Sequence, residues 1–288
     1  MEACSSANYW YRRFAELGHT VKLISPQYVK PYVKTNKNDA RDAKAICEAA
    51  SRPNMHFVSP KNIEQQGIQS SHRVKERLIK NRTALVNQIR GLLAEHGIIA
   101  SKGIGRIRKR LPEITENTAN ELTGSDRELF SDLYTELCQL DEKIKSYDKK
   151  LEIIFKNSAV CQRLGQIEGL GVISTTALVA AVGDPKVFEN GRQMSAWLGL
   201  TPRQYSSGNK QVLLGISKRG DCYIRKLLVH GARAVVYRAG IKTNNRSTWI
   251  NDLAARRGVN KAAVAIANKN ARIIWSMLMH ETDYRKAS

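Results

Sequence analysis

The chain has 288 residues, 42% of them hydrophobic and 25% charged, the balance of an ordinary folded protein with no apolar run long enough to cross a bilayer. Its 47 Lys and Arg against 26 Asp and Glu give a formal charge of +21 and a pI near 9.9, an excess that points to polyphosphate partners and first of all to nucleic acid. Five cysteines (Cys4, Cys47, Cys138, Cys161, Cys222) lie far apart without CxxC pairs, which speaks against structural zinc and for reduced thiols.

The start, MEACSSANYWYRR, lacks the cationic and apolar regions of a secretory signal, so a cytoplasmic location and no membrane partner are expected. Tyr9, Trp10, Phe14 and Leu17 recur at helical spacing, Gly18 stops that helix, and Thr20 to Ser25 alternate like a strand. One strand makes no sheet, so either the sequence begins partway through a domain or this segment must pair with something else. Asn36 to Ala50 then reads as a helix start with Asn38 as N-cap. Asp39 and Asp42 are three apart and share a face, which suits the helix dipole as well as a metal.

From Ser71 to Arg110 there are eleven Lys/Arg against two Glu, with Leu78, Leu85, Ile89 and Leu92 as an apolar stripe. This predicts a long cationic amphipathic helix. After a turn at Gly124, Ser125 and Glu128 fit a capping box. Phe130, Leu133, Leu137, Leu140, Ile144, Tyr147, Leu151 and Ile154 then keep three-four spacing. The two helices, joined by the linker SKGIGRIRKR, suggest an antiparallel hairpin or a dimerising coiled coil. Arg106, Arg108, Lys109 and Arg110 in that linker are candidate phosphate contacts, with a solvated charged face as the default alternative.

Past Val160 the composition turns to small residues and glycine, marking a domain boundary. Gly169 and Gly171 in IEGLGVIS fit one arm of a helix-hairpin-helix, whose glycines let backbone amides approach phosphate, or equally a glycine turn between packed helices. PRQYSSGNKQVLLGISKRGD, residues 202 to 221, sets two serines beside a glycine and four cations before the next acid. Arg203, Lys210, Lys218, Arg219 and Arg225 could neutralise a phosphate there, and a serine needs such help, or a base, to act as nucleophile. Asn260 to His280 reads as a core helix with Val264, Ala267, Ala271, Ile274 and Leu278 inward, and Lys269 and Arg272 outward.

The ensemble of MEACSSANYW, PYVKTNKNDARDAKAICEA, IEGLGVIS, WLGLTPRQYSSGNKQVLLGISKRGDCYIRKLLVHGARA and NKNARIIW closely resembles the IS one-ten insertion-sequence transposases, their IS eleven-eleven subgroup in particular. The resemblance implies an α+β, mostly α, chain in three parts. These are the C-terminal part of a RuvC-like (RNase H fold) DEDD domain over 1–60, a helical coiled-coil region over 61–158, and a serine-containing transposase domain over 159–288. It implies DNA cutting and rejoining, with DNA as partner, a structured guide RNA from the element, a dimer or tetramer, and a nucleoid-associated cytoplasmic location.

On the family pattern Glu2 matches the second acid, Asp39 and Asp42 the third and fourth, and Ser207 the nucleophile, with Ser206 as its rival. The acids Glu2, Asp39 and Asp42 would hold Mg2+. The family's first acid has no counterpart before Glu2, so weak metal binding is expected of this chain. Two rival readings follow: an inactive nucleic-acid-binding remnant, and a resolvase-type nuclease that uses only the acids.

Overall fold

The computed structural model describes residues 1–34 and 38–285. Two compact units emerge: Met1–Gly67 together with the chain from Ser158 onward, and Ile68–Asn157. Most of the polypeptide is helix, and the described strands are four short ones in two antiparallel pairs.

The first unit begins with α1 (Ala7–Glu16), β1 (Leu23–Ile24), α2 (Pro26–Val29), α3 (Asp39–Ala50) and β2 (Phe57–Val58). The lone strand expected from the sequence finds two partners. β1 pairs antiparallel with β2, and Glu2 bridges Ile24 in parallel, with Ala3 N–H donating to the Ile24 carbonyl at 2.7 Å. The helical stripe of α1 faces outward: Tyr9 is 50% and Leu17 72% exposed. Polar bonds hold this helix instead, Arg12 donating to the Lys61 carbonyl and to Gln66 Oε1, and Lys61 N–H to Asn8 Oδ1. Asn38 caps α3 as its side chain implies, accepting from Ala40 N–H at 2.8 Å.

The second unit is a helical hairpin of α4 (Ile63–Glu95, whose first turn belongs to the first unit) and α6 (Gly124–Asn157), with α5 (Ile104–Glu116) laid into it. Leu78, Leu85, Val86, Ile89 and Leu93 meet Ile107, Leu111, Phe130, Leu137 and Ile144 in one core. The buried stripe reaches Leu93 while Leu92 is only partly buried, because a straight helix drifts from a strict heptad. Ion pairs run along the hairpin in antiparallel order, Lys75 to Asp148 and Arg82 to Asp141, and His96 Nε2 lies 3.8 Å from Asp126 at the far end.

Two local expectations change. The run Arg106–Arg110 lies within α5 and not in a linker, because Ile104, Ile107, Leu111 and Ile114 give it a packed face. The capping box of α6 is formed two residues earlier than Ser125 and Glu128. Asp126 Oδ2 accepts from Thr123 N–H at 2.9 Å while Asp126 N–H donates to Thr123 Oγ1 at 3.2 Å, the reciprocal pattern with Asp in place of Glu.

His72 of α4 is 3% exposed, and burial, aided by the Lys75 charge, lowers its pKa from 6.5 to about 4. Above pH 6.5 the imidazole is neutral whether folded or not. Below it the unfolded chain takes up a proton that the folded chain refuses, so stability is lost as pH falls toward 4. The expected loss is about 3 kcal/mol over that window, read from urea midpoints at successive pH values, and His72→Gln should flatten the slope.

The remainder of the first unit packs α7 (Ala159–Gly165), α8 (Val172–Val182), α9 (Gly191–Trp197), α10 (Cys222–Ala239) and α11 (Asn245–Arg257) around α12 (Val259–His280). Ser158, Asn190, Asp221 and Asn244 cap α7, α9, α10 and α11 with side-chain oxygens. α12 is the axis: Ala262, Ala263, Ile266, Ala267, Ala271, Ile274 and Met277 are buried. Val264 and Leu278, expected on that face, lie at its half-buried margins. Lys269 stands over the Trp249 ring at 4.6 Å, while Arg272 is exposed.

Candidate active site and nucleic-acid interface

Between α9 and α10 the chain forms a hairpin of β3 (Pro202–Gln204) and β4 (Leu213–Ile216). Its tip is Ser207-Gly208-Asn209-Lys210, closed by mutual backbone bonds between Ser207 and Lys210 at 3.3 and 3.2 Å. Gly208 has φ +56°, a left-handed conformation that glycine adopts without a Cβ penalty at a two-residue hairpin turn. Ser206 Oγ accepts from Val212 N–H at 3.2 Å, whereas the Ser207 hydroxyl has no hydrogen-bond partner among the described residues. Both serines are exposed.

The root of the hairpin is as fixed as its tip is open. Ser217 N–H donates to the Thr201 carbonyl at 2.8 Å and Lys218 N–H to that of Gly199 at 3.2 Å. Gly199 and Gly220 make the crossing possible: a Cβ on Gly199 would lie 2.2 Å from the Arg219 carbonyl oxygen, and one on Gly220 1.9 Å from that of Trp197. Arg225 donates to the carbonyls of Leu198 and Arg219 at 3.1 and 2.7 Å, so its guanidinium holds the loop root. Asn268 of α12 adds a bond to Ser195 Oγ at 2.6 Å and one to the Leu200 carbonyl at 3.3 Å. Arg203, Lys210, Lys218 and Arg219 are exposed and in no ion pair among the described residues. Lys210 shares the turn with the Ser207 hydroxyl, Arg203 lies on β3, and Lys218 and Arg219 stand at the fixed root of the loop.

At the glycine turn, Gly169 (φ +89°) meets Gly231 of α10 backbone to backbone. A Cβ on Gly231 would sit 1.8 Å from the Gly169 carbonyl oxygen. Packing therefore uses Gly169, while Gly171 begins α8 with open space around its Cα. Gly231→Ala should cost about 2–3 kcal/mol through this overlap, visible as a lowered urea midpoint, and Gly171→Ala much less. Beside the turn Glu168 pairs with Lys242 and Arg246, and Asn270, 1% exposed, links Arg246 to the Glu168 carbonyl. The sequence signal for this network was a lone Asn interrupting the Ala/Ile face of α12.

Glu2 is half-buried on the strand bridge, and Asp39 and Asp42 stand in the first turn of α3, one exposed and one half-buried. Among the described residues no group of three or more His, Cys, Asp or Glu is placed to hold a metal ion. Glu2, Asp39 and Asp42 are thus not gathered into one such group. In α5, Arg106, Lys109 and Arg110 are exposed, but Arg108 pairs with the buried Asp141 at 3.0 Å, so its first task is structural.

The family model described as the Transposase IS116/IS110/IS902 family matches residues 161–272, the span that holds the serine hairpin. A second transposase model, of the DEDD IS110 type, matches residues 1–98. The transposase for insertion sequence element IS1111A of Coxiella burnetii is 50% identical over 99% of this chain and 78% of its own length. The chain belongs to the IS110 transposase family. A probable family 20 transposase of Pseudomonas aeruginosa is 51% identical over 99% of this chain and 85% of its own. The transposase for IS1328 of Yersinia enterocolitica is 41% identical over the same shares. The likeness to the IS1111A protein supports the IS1111 subgroup, and a transposase of this family is a DNA recombinase with DNA as its partner. No helix among its described residues is long and apolar enough to cross a membrane.

Proposed function

We propose that this transposase cuts and rejoins DNA through Ser207. The observation that carries the reading is the Ser207 hydroxyl, without a hydrogen-bond partner among the described residues, at the tip of a hairpin whose root is locked and beside Lys210 in the same turn. Ser207 Oγ attacks phosphorus as it gives up its proton; the Oγ–P bond forms, and the bond from phosphorus to a deoxyribose oxygen breaks, that oxygen taking up a proton. The phosphoester keeps the bond energy, so the reverse attack by a deoxyribose hydroxyl rejoins the strand without ATP. Lys210, in the same turn, supplies positive charge where the phosphorane gains negative charge, while Arg203, Lys218 and Arg219 hold DNA phosphates farther along the loop. Ser206 is the weaker nucleophile because its oxygen already accepts a backbone bond.

Mg2+ on Glu2, Asp39 and Asp42, a guide RNA, assembly into a dimer or tetramer, and residence at the nucleoid belong to the proposal through family resemblance. A second reading, binding of element DNA or RNA without cleavage, draws on the ungathered acids. Incubating the chain with DNA of its element's ends and resolving the products under denaturing conditions separates the two. A protein-linked strand supports recombination, free hydrolysed ends would mean a nuclease, and retention that falls with salt but leaves strands intact would mean binding alone.

A further inference from the structure

The hairpin face carries more than its serine. From Gln204 to Lys210 the strands keep one register, Gln204 facing Leu213 and Ser207 facing Lys210, with Tyr205 N–H donating to the Val212 carbonyl at 2.9 Å. Alternation along a strand places residues two apart on one side, so Tyr205, Ser207, Lys210 and Val212 share a face. Tyr205 is 78% exposed, the most exposed aromatic side chain described, and it makes no ring or cation contact among the described residues. No packing or ring contact among the described residues uses this ring.

An aromatic face, a nucleophile and an ammonium on one side of a hairpin match the parts of a nucleotide: a flat base and an anionic phosphate. Two residues of strand span roughly 7 Å, the scale of one nucleotide from phosphate to base. We propose that Tyr205 is the stacking platform for the base adjoining the phosphate that Ser207 attacks, so that this base is unstacked from its neighbour in the reacting complex. The proposal rests on the serine reading above. Stacking on tyrosine tolerates every base, so Tyr205 places the nucleotide without reading it. A mismatched or unpaired base at that position should react faster, because less stacking and pairing is lost on extrusion.

The experiment compares adduct formation by the wild type, Tyr205→Ala and Tyr205→Phe on element-end DNA, intact or with an abasic site beside the attacked phosphate. On intact DNA Tyr205→Ala should be slower by roughly one to two orders of magnitude, with Tyr205→Phe near wild type. On abasic DNA the wild type should fall to the Tyr205→Ala rate, and Tyr205→Ala should lose nothing further. Equal rates on intact DNA, or the same loss repeated on abasic DNA, would overturn the stacking role. A second measurement is independent of chemistry: Ser207→Ala protein on the same DNA, carrying 5-iodouracil at successive positions, should photo-crosslink through Tyr205 at one base. That crosslink without any wild-type serine adduct would overturn the serine reading and leave the platform standing. An adduct with no crosslink and no Tyr205→Ala defect would do the reverse.

Discussion

Ser207→Ala should lower DNA strand exchange by roughly three to six orders of magnitude, the loss seen when a covalent nucleophile is removed from an otherwise intact site. Binding of element DNA should stay within about twofold, since one exposed hydroxyl contributes little to a contact dominated by phosphate charge. Folding should also be untouched: Ser207 is at a hairpin tip, it has no hydrogen-bond partner among the described residues for its hydroxyl, and the turn geometry belongs to Gly208. Ser206→Ala is the control. It removes the acceptor for Val212 N–H and should cost the exposed hairpin at most about 1 kcal/mol while leaving the adduct in place. Retained exchange in Ser207→Ala with loss in Ser206→Ala would transfer the chemistry to the neighbour.

The second large effect concerns stability. Asp141 is 7% exposed on the inner face of α6 and takes one guanidinium on each oxygen, Arg82 at 2.7 Å and Arg108 at 3.0 Å. Arg82 Nε is buried without a hydrogen bond of its own, so the carboxylate is the chief compensation for that charge. Asp141→Ala should destabilise the helical unit by about 2–3 kcal/mol, below the range for fully buried pairs because the Arg108 side chain is 46% exposed. Arg108→Ala should cost far less. A urea titration followed by far-UV circular dichroism gives both values. If Arg108→Ala proves the costlier change, the bridge is being held from its exposed side and the assignment of Arg82 as the buried partner is wrong.

Periodicity and caps were the legible part of this fold. The three-four stripe from Phe130 to Leu151 and the cap at Asn38 each depend on residues within a few positions of one another. Capping groups compete locally, which is why Thr123 with Asp126 displaced Ser125 with Glu128 two residues later. The aromatic stripe of α1 shows the limit of periodicity: it marks an apolar face without saying what covers it. The serine hairpin was legible only as a block of residue types, two serines beside a glycine with cations near them. Its rigidity was not, because it comes from contacts between distant segments, Gly199 with Arg219 and Asn268 with Leu200. For Arg225, a candidate phosphate contact, the sequence shows the charge but not the carbonyls of Leu198 and Arg219 that its Nη1 bonds at the loop root. Gly169 read equally as an anion-approaching arm or a packed glycine turn, and only the distant Gly231, which meets it backbone to backbone, shows the packing.

The most direct measurement is the identity of the residue that carries DNA. Trypsin cuts after Arg203 and after Lys210, so a covalent complex trapped on element-end DNA and trimmed with nuclease should yield the peptide Gln204–Lys210 bearing a nucleotide. Fragmentation in a mass spectrometer should place that nucleotide on Ser207. A nucleotide on Ser206 or on any other peptide, or cut DNA with no peptide attached, would contradict the serine mechanism.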